Sequence, residues 1–178
     1  MPPSLTERVR SFDRQAEQLV DRVRGNPIAD RVFYAASEVG DFSLLWHLIS
    51  AMRGLRSRRN EDEAIRLAVL LGGESLLVNG VIKSFFRRTR PDWEQERAYT
   101  IRKPRSSSFP SGHASAAFFA ATVISEDNPA GFMYFGLAAV VASSRVYVKI
   151  HHASDVVAGA ATGLGLGLVA RRLWRKPA

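Results

Sequence analysis

The sequence predicts an all-α protein: an integral-membrane helical bundle of about five crossings with an amphipathic N-terminal helix. Three observations carry that prediction. Several apolar runs of roughly membrane-spanning length alternate with basic connections, the last run carries glycines at every fourth position, and no stretch sustains the alternation of a strand. Residues 1–26 read as the amphipathic helix, and 27–178 as one helical domain with a polar loop at 83–112.

Composition narrows the partners before any motif is considered. A chain of 178 residues can bury one core, and a formal charge of +8 asks for an anionic partner: nucleic acid, acidic lipid or a phosphate ester. There is no cysteine, which excludes disulfides and thiolate metal sites. A mean hydropathy of -0.09 would suit a soluble protein, but it averages a polar N-terminus and a basic loop with long apolar runs. Met1 to Glu7 has no apolar run of the kind a cleaved signal peptide needs, so none is expected.

Ser4-Leu-Thr-Glu7 has the form of a capping box, and Leu5, Val9, Phe12, Ala16, Leu19 and Val23 recur at steps of four and three. They predict an amphipathic helix ending at Gly25-Asn-Pro27. Its other face is strongly charged, so it lies along the membrane interface or covers the bundle; a coiled coil joining a homodimer is the alternative. Val32 to Met52 reads as one helix and the first crossing, carrying Glu38, Asp41 and His47, charges that a membrane tolerates only toward the protein interior or near a boundary.

After the basic connection Arg53 to Asn60, the run Ile65 to Ile82 just reaches across a hydrocarbon core of roughly 30 Å. Glu74 and Asn79 within it read as bundle hydrogen bonds. A short apolar helix follows His113 and stops at Glu126-Asp-Asn-Pro129, another run extends from Gly131 to Val148, and the last from Val156 to Ala170. In that last run Gly159, Gly163 and Gly167 suit close helix packing, and Arg171-Arg-Leu-Trp-Arg-Lys176 forms a membrane-edge cap.

The candidate chemistry sits in three stretches. Ser106-Ser-Ser-Phe-Pro-Ser-Gly-His113 is a turn feeding straight into a helix, so free backbone N–H groups and a positive dipole end surround a histidine, a ready anion site. Lys83-Ser-Phe-Phe-Arg-Arg-Thr-Arg90-Pro91 supplies fixed positive charge. Ser144-Arg145-Val-Tyr-Val-Lys-Ile-His151-His-Ala-Ser-Asp155 adds an arginine, a histidine and, four residues on, a carboxylate on the same helical face. Together they resemble the signature of the type 2 phosphatidic acid phosphatase family, K-x6-R-P, then P-S-G-H, then S-R-x5-H-x3-D, with every fixed position filled in order.

The resemblance implies a phosphate cradle of Lys83, Arg90 and Arg145, completed by Ser111 with the N–H groups of Ser111, Gly112 and His113. It implies His151 as a nucleophile that forms a phosphohistidine, Asp155 as acceptor of its Nδ1–H, and His113 as general acid. No metal or other cofactor is required. The neighbouring His152 is also within reach of Asp155, and the family spacing selects His151; a zinc site of His113, His151 and Asp155 is the metal alternative. Arg87, Arg88, Arg102, Lys103 and Arg105 read as solvated or headgroup-facing charges.

The expected function is that of a membrane-embedded, metal-independent lipid phosphatase, with phosphatidic acid, phosphatidylglycerol phosphate or a polyprenyl diphosphate as substrate and membrane lipids as surroundings. Arg53 to Arg59 and Arg171 to Lys176 are separated by four apolar runs and fall on one side, cytoplasmic by the positive-inside rule, which puts the motifs on the extracytoplasmic side of the cell membrane. Known members of the family have six crossings, and the polar first helix departs from that pattern. Two rivals use the same cradle: a soluble acid phosphatase or vanadium-dependent haloperoxidase, and a non-catalytic lipid-phosphate binder. Nucleic acid is not expected, because the basic loop with Trp93 and Tyr99 lacks a stacking platform and leaves Pro-Ser-Gly-His without a role.

Overall fold

The computed structural model describes residues 3–92, 99, 106–126, 128 and 130–174. Among them every regular element is helical: α1 (Leu5–Asp21), α2 (Pro27–Val39), α3 (Leu44–Gly54), α4 (Arg58–Ser75), α5 (Gly112–Ile124), α6 (Gly131–Tyr147) and α7 (Ala153–Leu173). α4 runs on through a wide π-type turn (Leu76–Val81) into a tight 3-10 turn (Ile82–Phe85). The predicted capping box starts α1, with the Glu7 N–H donated to Ser4 Oγ at 3.3 Å and the Ser4 N–H to Glu7 Oε2 at 2.6 Å. Asn26 caps α2, and Pro27 occupies its first position, where no N–H is needed.

α5 is the hub of the bundle. Its side chains are small and Ala114, Ala117, Ala120 and Ala121 are wholly buried, so neighbouring helices approach it closely. The tightest neighbour is α7, through the predicted glycine stripe: a Cβ on Gly163 would sit 2.0 Å from the Ser115 carbonyl oxygen, and one on Gly159 2.3 Å from that of Ser111. Around α5 the core is filled by Trp46, Leu67, Leu71, Phe119 and Val141. A second cluster of Tyr147, Val148 and Ile150, packed against Val20 and Phe33, joins the end of α6 to α1 and α2.

The run Val32 to Met52 is not the single helix the sequence predicts. It breaks after Gly40 into α2 and α3, with Phe42 and Ser43 in the left-handed region at φ 54° and 58°. The break falls where the chain packs tightly on α5 and α6: a Cβ on Gly40 would stand 3.0 Å from the His113 ring and 3.0 Å from Val141, closer than side chains ordinarily pack. At about 1.5 Å per residue, neither α2 nor α3 alone spans a hydrocarbon core of roughly 30 Å.

By length and composition, two of the described helical stretches can cross a membrane, 58–85 and 153–173. The 17 residues of α6 extend about 26 Å, and the 13 of α5 about 20 Å. At the end of the bundle away from the motifs, two arginines tie the helices together. Arg66, midway along α4, pairs with Glu126 at 2.9 Å and also donates to the Trp174 carbonyl, while Arg53 reaches Glu63 and Tyr134. The three motifs gather at the opposite end.

α1 docks with an unexpected face. Leu5, Phe12 and Leu19 of the apolar stripe remain exposed, and the residue α1 buries is Asp13. Arg24, just beyond the helix, donates to the carbonyls of Val146 and Tyr147 at 2.8 Å each and so satisfies the open end of α6. Substituting Gly163→Ala should destabilise the protein by about 1–3 kcal/mol through overpacking against Ser115. Gly165→Ala, with nothing within 4 Å of the new methyl group, should leave thermal unfolding in detergent unchanged or raise its midpoint.

Candidate active site

The Pro-Ser-Gly-His turn opens α5. Ser111 is its N-cap, accepting the Ala114 N–H at 3.4 Å, while its own N–H is donated to the Asp155 carbonyl at 2.9 Å. The expectation that the Ser111 N–H faces a phosphate is therefore corrected: that donor ties α5 to α7. The amides of Gly112 and His113, in the first turn, are the helix-start donors that remain.

The spacing between Arg145 and His151 also has a local cause. α6 ends at Tyr147, Lys149 turns the chain back with φ 51°, and the N–H groups of Ile150 and His151 both reach the Arg145 carbonyl at 3.1 Å. The reversal returns His151 to the arginine it left. Arg145 is only 1% exposed, and its Nη1 donates to the Ser37 hydroxyl and carbonyl on α2.

Arg90 closes the site from the loop. Its Nη1 donates to the Ile150 carbonyl at 2.9 Å and lies 3.2 Å from His151 Nε2, while Nη2 donates to the carbonyls of Ser106 and Ser107 at 3.1 and 3.3 Å. A guanidinium can only donate, so His151 Nε2 must present its lone pair and the ring proton sits on Nδ1. Nδ1 faces Asp155 Oδ2 at 3.7 Å, an ion-pair separation longer than a hydrogen bond.

Lys83, placed by the 3-10 turn that follows the π-type turn, is buried and feels the charges of both Arg90 and Arg145. Among the described residues, the buried Nε atoms of Arg90 and Arg145 have no acceptor. Three like charges brought together out of water are costly unless anions balance them, and a tetrahedral oxyanion has the lone pairs to do so. Glu74, read from the sequence as a bundle group, is buried and accepts the Ser115 hydroxyl. Among the described residues no three His, Asp or Glu side chains converge as a metal site requires.

Burial pushes the His151 imidazole down to about 3, and the neighbouring Arg145 and Arg90 charges add to that effect against the pull of Asp155. The ring is neutral throughout the physiological range. Arg90 is likewise lowered from its ordinary value by burial, with Asp155 opposing.

Lys83, Arg90, Ser111, Gly112, His113, Arg145, His151 and Asp155 thus all reach one end of the bundle, but sequence reasoning missed two of their neighbours. Asp41, in the break between α2 and α3, places Oδ1 2.7 Å from His113 Nε2. Its signal was a charge inside an apolar run. Arg88, expected to face solvent or headgroups, instead donates from Nη1 to Asp155 Oδ1 and from Nη2 to Asp13 Oδ2, both at 2.6 Å. Arg87 is exposed as expected, and Trp93, Arg102, Lys103 and Arg105 lie outside the described residues. His152 gives its backbone N–H to Asp155 Oδ2 at 2.9 Å and, with α1, lines an outer cavity of about 640 Å³.

Buried cations around a carboxylate-backed histidine at one end of a helical bundle make an anion site of the kind a phosphatase needs. Residues 63–177 match the model of the PAP2 superfamily, and the chain belongs to it. It is 28% identical over 172 residues to phosphatidylglycerophosphatase B of Bacillus subtilis (strain 168), a match covering 89% of this chain and 81% of that protein. The fold is shared with the crystal structure of a transmembrane PAP2-type phosphatidylglycerolphosphate phosphatase from Bacillus subtilis, at TM-score 0.71 and 24% identity over 93% of this chain and 85% of that one. It is shared equally with Aquifex aeolicus LpxE, at TM-score 0.71 and 24% identity over 89% and 93% of the two chains.

Because the folded protein keeps His151 neutral while the unfolded chain takes up a proton near pH 6.5, the unfolded state binds more protons between about 6.5 and 3. Stability from this group is complete above pH 6.5 and is lost as the pH falls through that window. Thermal unfolding of His151→Asn across pH 4 to 6.5 should accordingly show a pH dependence shallower by about one proton than that of the unsubstituted protein.

Proposed function

We propose that the protein is a membrane-embedded, metal-independent lipid phosphatase that hydrolyses a phosphomonoester or diphosphate of a lipid through a phosphohistidine on His151. The observation that carries this reading is the placing of His151 between Arg90 and Asp155: Arg90 Nη1, which can only donate, lies 3.2 Å from Nε2, and Asp155 Oδ2 lies 3.7 Å from Nδ1. A neutral imidazole with its free nitrogen among buried cations is a nucleophile beside an anion site.

In this scheme Lys83, Arg90 and Arg145 bind the phosphoryl oxygens, and the amides of Gly112 and His113 add two donors at the start of α5. His151 Nε2 attacks phosphorus in line as the bond to the lipid oxygen breaks, and His113 gives that oxygen a proton. Asp155 steadies the imidazolium formed. Water then attacks the phosphohistidine, His113 takes its proton, the N–P bond breaks and inorganic phosphate leaves. Asp41 Oδ1, 2.7 Å from His113 Nε2, fixes the orientation of this ring.

The lipid character rests on the outside of the molecule. Ile65, Val69, Leu76, Val81 and Phe85 on the 58–85 rod and Val157, Leu168 and Val169 on α7 are large, apolar and exposed, a distribution suited to hydrocarbon rather than water. The exposed stripe of α1 suits the interface. A curated relative named for phosphatidylglycerol phosphate supports that lipid as one substrate, beside phosphatidic acid and polyprenyl diphosphate. The basic stretches Arg53 to Arg59 and Arg171 to Lys176, separated by four apolar runs, support a cytoplasmic face there and a site that opens on the extracytoplasmic side.

Purified protein in detergent should release phosphate from at least one of these three lipids, and a chain that cleaves none of them is not this enzyme. His151→Ala should lower release by about a thousandfold or more with an unchanged unfolding midpoint. Treatment with EDTA should leave the rate as it was; a loss restored by zinc or magnesium would instead assign the phosphoryl charge to a metal.

A further inference from the structure

The carboxylate behind His151 is itself held in place. Asp155 is fully buried; Oδ2 accepts the His152 N–H at 2.9 Å and Oδ1 accepts Arg88 Nη1 at 2.6 Å. Arg88 in turn gives Nη2 to Asp13 Oδ2 at 2.6 Å, and Nη1 to the Ser154 hydroxyl at 2.8 Å. Asp13 also accepts the Ser154 N–H at 2.8 Å and the Ser154 hydroxyl at 2.9 Å. Negative, positive and negative groups therefore form one chain from α1 to the start of α7.

What makes this chain more than a surface clasp is which residue α1 buries. Asp13 is 9% exposed while Phe12 beside it is 47% exposed and Leu19 is 60% exposed. A helix that served only to cover the bundle would turn its apolar stripe inward, since burying a carboxylate is unfavourable unless it is paired and hydrogen-bonded. The orientation of α1 follows from its partners at the site.

The electrostatics give Asp13 a task. Arg88 alone, 2.6 Å from Asp155, would neutralise the carboxylate that must attract the His151 Nδ1–H. A second carboxylate on the same guanidinium shares that charge, leaves the three-membered chain with a net negative charge, and keeps Arg88 out of the cationic cluster around Nε2.

Resting on the phosphatase reading above, we propose that Asp13 and Arg88 are positioning residues for the reaction, acting through Asp155, and that the N-terminal helix is thereby a working part of the site. They touch neither substrate nor reacting atoms. Their substitution should slow turnover and leave binding nearly untouched.

The test uses full-length protein in detergent with phosphatidic acid and phosphatidylglycerol phosphate in mixed micelles as probes. Asp13→Asn and Arg88→Gln should each lower kcat about tenfold to a hundredfold, the range typical when an outer hydrogen-bond partner of a site residue is lost, with KM changed less than about twofold. The double variant should be no slower than the slower single one, because one chain is cut in either case. Asp13→Glu, which keeps the charge, should recover most of kcat and guards against a helix that merely fails to dock.

Additive losses, a raised KM at constant kcat, or an Asp13→Asn enzyme with full kcat would each overturn the proposal while leaving the phosphatase reading intact. If the unsubstituted protein released no phosphate from either probe or from polyprenyl diphosphate, that reading would fall, and this one with it.

Discussion

One hydrogen bond carries the geometry of the whole site: the Ser111 N–H donated to the Asp155 carbonyl at 2.9 Å. It joins the first turn of α5 to the first turn of α7, so the two motif-bearing helix starts meet at a point. The bond can form only because α7 presents no side chain there. Gly159 lies against the Ser111 carbonyl and Gly163 against that of Ser115, and both backbones come within a distance that any Cβ would forbid. Packing in the bundle and placement of the site are thus the same constraint.

Charge is arranged around that junction in layers. Among the described residues, cations with unsatisfied donors stand nearest His151, behind it stands a buried carboxylate, and behind the carboxylate a shared arginine and a second carboxylate from α1. Each layer offsets the burial of the next, which is the condition for keeping ionised groups away from water. His113 follows the same pattern with Asp41, so each imidazole is paired with its own carboxylate.

The sequence made α1, the 58–85 rod, α5, α6 and α7 legible because each rests on a local signal: a capping box, an apolar run, a helix-start turn or a glycine stripe. The motif residues were legible as a set for the same reason. What the sequence hid depends on contacts between distant segments. The break after Gly40 falls where the chain packs on the His113 ring and Val141, about a hundred positions or fewer away in the chain, and nothing in Phe42 or Ser43 announces a left-handed turn. Arg88 differs from Arg87 only in what it meets, and Asp13 lies one place off an apolar stripe that predicted the opposite face. The Ser111 amide was misjudged because a helix start has free donors only until a neighbouring backbone claims one.

Arg66 has a further bearing on how the molecule works. Bridging Glu126 and the Trp174 carbonyl, it fastens the end of the bundle away from the histidines, and Trp46, Leu67, Leu71 and Phe119 are packed in the core between. Among the described residues, then, the end that carries Arg66 is closed by side chains and backbone, and the buried cations lie at the end that is not.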